Sequence, residues 1–112
     1  MGEPDKNAIE ACIAACYRCA AACDYCSVAC LKEDNVAHMA RCIQLDMDCA
    51  EACRFTAGAM ARRSECATTI AQMCAAICKA CGDECSKHDH EHCQECARLC
   101  LECADICKEL AA

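Results

Sequence analysis

Nineteen of the 112 residues are cysteine, and most recur at the two spacings that place side chains on one face of a helix. From Cys12 the series continues through Cys16, Cys19, Cys23, Cys26 and Cys30, at intervals of 4, 3, 4, 3 and 4. Side chains four apart on a helix sit one above the other, with Cβ atoms roughly 5–6 Å apart, so two thiolates can converge on one small ion. Eight such pairs are present: Cys12/Cys16, Cys19/Cys23, Cys26/Cys30, Cys49/Cys53, Cys74/Cys78, Cys81/Cys85, Cys96/Cys100 and Cys103/Cys107. The chemistry open to them is soft-metal ligation, disulfide formation or thiol exchange.

The stretch Met1 to Lys6 is polar, with no basic region leading into an apolar one, which predicts that the chain stays in the cytoplasm. Thiols there are kept reduced, so metal binding is the expected use of so many cysteines, and full pairing would leave one over. Tetrahedral zinc sites usually take their thiols from CxxC knuckles in loops. Iron–sulfur clusters draw on a CxxCxxCxxxCP run or a relative of it, and no Cys-Pro occurs here. Cu(I) is soft, prefers thiolate and thioether, and is satisfied by a helical pair with an occasional sulfur from a neighbouring helix. One monovalent ion per thiolate also cancels the interior charge, which unpaired thiolates could not tolerate. The expected load is many Cu(I) ions per chain, which means storage or detoxification and not catalysis.

The elements that must hold these thiols follow from the same spacing. Segment one, about Asp5 to Lys32, carries the first six cysteines, a heptad seam with Cys in both apolar positions. Segment two, about Val36 to Arg63, has Cys42, Cys49 and Cys53, with Leu45 filling one seam position. Segment three, about Glu65 to Lys87, has Cys66, Cys74, Cys78, Cys81 and Cys85, with Ile70 between the first two. Segment four carries Cys93, Cys96, Cys100, Cys103 and Cys107. All four read as helices, separated at Glu33-Asp34-Asn35, Arg62-Arg63-Ser64 and Ser86 to His90, with Asp34, Ser64 and Asp89 as N-caps. Such short joints predict an all-α, antiparallel up-down-up-down four-helix bundle with a Cys-lined core, a single domain over residues 1–112.

Composition shows that something other than aliphatic packing must hold the interior. The apolar share is 57%, but it is mostly Ala and Cys; Leu, Ile, Val and Phe together number 14. A conventional aliphatic core cannot be built from that. Eleven basic against eighteen acidic residues, with three aromatics, offer neither a phosphate-binding stripe nor a base-stacking platform, so no nucleic acid partner is expected. No apolar run approaches the ~20 residues of a membrane span. The sequence also lacks a Ser/His/Asp set, a phosphate-cradling glycine loop and an isolated carboxylate pair, so it does not read as an enzyme.

A bundle of about this length with CxxxC pairs on every helix, and runs such as CIAACYRCAAACDYCSVAC and CQECARLCLECADIC, resembles the bacterial cytosolic copper storage proteins. The resemblance spans essentially the whole chain. It implies a homotetramer of bundles, each core filled with Cu(I) held by thiolates and entered at one end through sites that include His. It makes every cysteine of the four seams a ligand, including Cys42 and Cys66, which lack a CxxxC partner, and it admits a copper chaperone as partner.

Histidine placement locates the mouth without that resemblance. His38, His88, His90 and His92 all fall at the pole shared by the end of helix one, the start of two, the end of three and the start of four. His38, one turn before Cys42, and His88, the next seam position after Cys85, read as inward ligands. His90 and His92, in or beside the last loop, read equally well as ligands or as solvated surface. Met39 reads as core, with thioether ligation the other option. The opposite pole, with Ile9, Cys12, Met60, Cys66, Cys107 and Leu110, reads as an apolar plug. On the outer side of helix one, Ala14, Ala21 and Val28 with Tyr17, Tyr25 and Leu31 leave little polar cover, so self-association is expected. The rival readings are a zinc or cadmium buffer of metallothionein type and a thiol redox protein. Five CxxC spacings such as Cys93/Cys96 exist, but they arise from the heptad and no βαβ pattern surrounds them.

Overall fold

The computed structural model describes residues 4–112. Ala, the best helix former, is the commonest residue, and the only proline is Pro4, ahead of the first helix. The chain accordingly forms α1 (Lys6–Leu31), α2 (Ala40–Ala61), α3 (Ala67–Cys85) and α4 (Glu91–Ala111), with a 3-10 turn at Val36–Met39 leading into α2. Each helix lies against its chain neighbours and α1 closes onto α4, while the diagonal pairs stay apart. The result is the expected up-down-up-down bundle, an elongated body of 50 × 18 × 18 Å.

The helix ends follow different chemistry from that read in the sequence. Asp5 caps α1, its side chain accepting from the Ala8 N–H at 2.8 Å. Asp34 is no cap: Val36–Met39 winds as 3-10 and no side chain caps α2. Arg63 adopts left-handed backbone (φ 57°) and closes α2, with the Ser64 N–H reaching Ala59 O at 3.0 Å and its own N–H reaching Met60 O at 3.1 Å. That closure displaces the start of α3 to Cys66, and Ser64 instead takes the Cys66 N–H on its hydroxyl at 3.0 Å. At α4 the cap position falls to His90, one residue beyond Asp89, and Glu91 supplies the favourable negative charge of the first turn.

The interior is made of small residues. Ala15, Ala20, Ala50, Ala57, Ala71, Ala97 and Ala104 flank the cysteines and let the helices approach closely, while larger apolar chains sit at the poles, Ile9 and Met60 at one and Met39 at the other. Gly82 marks the tightest approach. A Cβ there would stand 2.7 Å from Leu101 Cγ and Cδ2 and 3.3 Å from Cys100 Cβ. Gly82→Ala should therefore push α3 from α4 and cost about 1–2 kcal/mol, despite the better helix propensity of Ala. Urea unfolding of the reduced protein checks this; a stabilised variant would show that Leu101 simply swings away.

Candidate metal centre

The seams of α1 and α4 run as expected, and all eleven of their cysteines are buried. The other two are shifted by one residue from the sequence reading. Along α2 and the 3-10 turn before it the buried seam runs Met39, Cys42, Asp46, Cys49, Cys53, Thr56 and Met60, so Asp46, not Leu45, lies on the axis. In α3 they are Ala71, Cys74, Cys78, Cys81 and Cys85, continued by His88. Ile70 is only half-buried and Cys66 is exposed at the start of the helix. Cys66 thus stands outside the thiol core, because the seam leads back from Cys74 through Ala71 to Ala67.

The remaining eighteen cysteines are buried and free, and their sulfurs form a continuous column. Within helices, Cys26/Cys30, Cys74/Cys78 and Cys96/Cys100 each lie 3.8 Å apart, and Cys103/Cys107 4.0 Å. Contacts across helices are as short: Cys42 to Cys85 is 3.4 Å, Cys23 to Cys100 3.5 Å, Cys53 to Cys78 3.5 Å and Cys19 to Cys49 3.7 Å. The bundle, not the CxxxC pair alone, is therefore the unit of ligation. Cys16, Cys53, Cys74 and Cys103, one from each helix, bring their sulfurs within 4.8 Å of one another, as do Cys26, Cys30, Cys42 and Cys93 nearer the histidine pole. Burial pushes the Cys30 thiol up to about 11.

Asp46, which sequence reasoning missed, sits fully buried in this column. One carboxyl oxygen accepts from Cys81 at 3.2 Å and from Cys85 and Cys96 at 3.3 Å, while the other lies 3.9 Å from the Cys42 sulfur. Burial above all pushes its carboxyl up to about 10. The signal was available, since 46 is four residues after Cys42 and three before Cys49, the interval of every other seam.

The four histidines divide into two pairs. His92 is the one that meets the column: its Nδ1 lies 3.5 Å from the sulfur of Cys93, 3.6 Å from Cys26 and 3.8 Å from Cys30. Its Nε2 is 2.9 Å from Glu33 Oε2, which also lies 3.1 Å from Nδ1 of the exposed His90, stacked on His92 with centroids 5.3 Å apart. The hydrogen bond with His92 holds the Glu33 carboxyl below its ordinary range. On the other side His88 is buried, but its Nε2 is 2.9 Å from Glu84, whose other oxygen takes Arg41 at 2.6 Å. Burial would raise Glu84, yet the hydrogen bonds of His88 and Arg41 outweigh it and keep the carboxyl low. His38 is exposed and meets His88 edge to face at 5.3 Å, because Met39 occupies the seam position before Cys42. Of the expected inward pair, His38 faces outward and His88 is buried against Glu84, while His92 takes the place against the thiols. Glu33 carries no sequence signal, since only the folded joint brings it to the rings, whereas Glu84 is set four residues before His88, a helical spacing that the sequence does show.

A four-helix bundle whose axis is a column of reduced thiols, closed at one end by imidazoles, is by its donor set a binder of soft metal ions. The comparisons say which kind. The family model for copper storage protein matches residues 5–112, and the chain belongs to that family. It is 48% identical over 103 residues to an uncharacterized cysteine-rich protein of Bacillus subtilis, covering 92% of this chain and 95% of that one. A Cu(I)-bound copper storage protein, BsCsp3, superposes with a TM-score of 0.90 at 47% identity, covering 94% of this chain and 99% of the other. A cytosolic copper storage protein from Streptomyces lividans with five coppers superposes at 0.91 and 44% identity, covering 94% and 92%. Among the described residues no helix is long and apolar enough to cross a membrane.

Proposed function

We propose that the chain is a cytosolic store that holds many Cu(I) ions as thiolates along the core of one domain, residues 1–112. The observation that carries this reading is the continuity of the column. Eighteen buried thiols, each with a neighbour 3.4–4.0 Å away and joined end to end by four-sulfur groups within 4.8 Å, offer many similar positions where one cofactor or one reacting centre would need a single distinct one. A store needs many near-equivalent sites, whereas an enzyme needs one that differs. Each Cu(I) entering in exchange for a thiol proton leaves the interior charge unchanged, so filling can continue along the axis without accumulating buried charge.

The ligands in this reading are the eighteen buried cysteines and, at the mouth, His92, with Asp46 among the thiols as a hydrogen-bond acceptor. His90, stacked outside His92, and His38 and His88 across the pole complete the entrance, where a copper chaperone would deliver. Tyr17, Tyr25, Val28 and Leu31 are each more than half exposed on α1, an apolar stripe that supports assembly into a homotetramer.

Competition separates this from a zinc thiolate buffer. Given Cu(I) and Zn(II) in equal amounts under reducing, anaerobic conditions, the protein should take up copper almost exclusively, as counted by native mass spectrometry. Retention of zinc at a few ions per chain in the presence of Cu(I) would favour the metallothionein-like reading.

A further inference from the structure

We infer that Glu33 is a positioning residue for His92: its carboxylate selects the ring tautomer that leaves the Nδ1 lone pair facing the thiols of Cys26, Cys30 and Cys93. The inference rests on the storage reading for its purpose, but its structural content stands apart from copper. A carboxylate can only accept, so with Glu33 Oε2 2.9 Å from His92 Nε2, the ring proton belongs on Nε2. Nδ1 is then the nitrogen with the free lone pair, and it is the one that lies 3.5–3.8 Å from three sulfurs. Without the carboxylate nothing prevents the proton from moving to Nδ1, where the ring would present a donor to the thiols instead of a ligand.

Glu33 acts from a distance in the chain. It lies in the joint between α1 and α2, whereas His92 opens α4, so the contact ties two loops of one pole together. The same oxygen lies 3.1 Å from His90 Nδ1. One carboxylate therefore lies against two stacked rings, 3° from parallel, and is hydrogen-bonded to the inner one. Carboxylate partners of this kind fix the orientation of metal-binding imidazoles, and their loss typically costs 10–100-fold in affinity or activity.

The test uses the full-length reduced protein at pH 8, where free imidazole is neutral. Nitrogen-15 NMR of the metal-free wild type should show His92 protonated on Nε2. In Glu33→Ala the ring should populate the Nδ1-protonated form. In Glu33→Gln, whose amide oxygen still accepts, the wild-type tautomer should return. Uptake of the first Cu(I) equivalents should slow roughly tenfold in Glu33→Ala, approach the rate of His92→Ala, and recover in Glu33→Gln. An unchanged His92 tautomer in Glu33→Ala, or uptake at the wild-type rate after the tautomer is lost, would overturn the inference. Failure of the wild type to take up copper would instead count against the storage reading, with the tautomer still deciding the role of Glu33.

Discussion

Asp46→Asn should make the metal-free, reduced protein more stable at pH 7 by about 4 kcal/mol, and by almost nothing at pH 4. The carboxyl is pushed up to about 10 in the folded core, against about 3.9 in the unfolded chain. Between those values folding must take up a proton. The contribution of Asp46 is therefore most favourable below about pH 4 and is lost as pH rises through the folded value. Each pH unit above the unfolded pKa costs about 1.4 kcal/mol, roughly three units' worth by pH 7. Asparagine keeps an acceptor for Cys81, Cys85 and Cys96 but has no proton to recover. Urea unfolding of both proteins at the two pH values is the check. An equal difference at pH 4 and pH 7, or a variant destabilised at both, would show that the carboxyl is not held neutral by its surroundings.

The bundle was legible because cysteine and alanine write the heptad so densely. On α1 and α4 every seam position is a thiol, and the intervals alone place them correctly. Reading failed where the seam residue was not cysteine. In α2, Leu45 attracted the assignment because it is apolar, although the interval from Cys42 to Cys49 points to Asp46; a buried acid contradicts the usual preference for apolar interiors. In α3, Cys66 and Ile70 were chosen for the same reason, while the structure buries Ala67 and Ala71 in part or in full and leaves Cys66 outside. A small residue on a seam has no visible signal beside a cysteine one position away. The pole was readable, because four histidines share it, but their division was not. Which ring turns inward depends on Glu33 and Glu84; helical spacing pairs Glu84 with His88, but only the α1–α2 joint brings Glu33 to His92. The family model and the related copper storage structures agree with the class of metal read from the thiols.

Capacity is the property with the largest expected signal, since it separates a filled column from a few discrete sites. Eighteen buried thiols can each exchange a proton for one monovalent ion, and the exposed Cys66 has no place in the column. The number bound should therefore track the buried set. It should fall by about one ion for each core cysteine replaced by alanine, while Cys66→Ala leaves it unchanged. The direct measurement is anaerobic titration of the reduced protein with Cu(I) against a competing chelator, followed by the ultraviolet absorbance of copper thiolate and by native mass spectrometry. Saturation near eighteen Cu(I) per chain is the predicted result. Saturation at about four to seven ions would contradict a thiolate column filled one copper per cysteine.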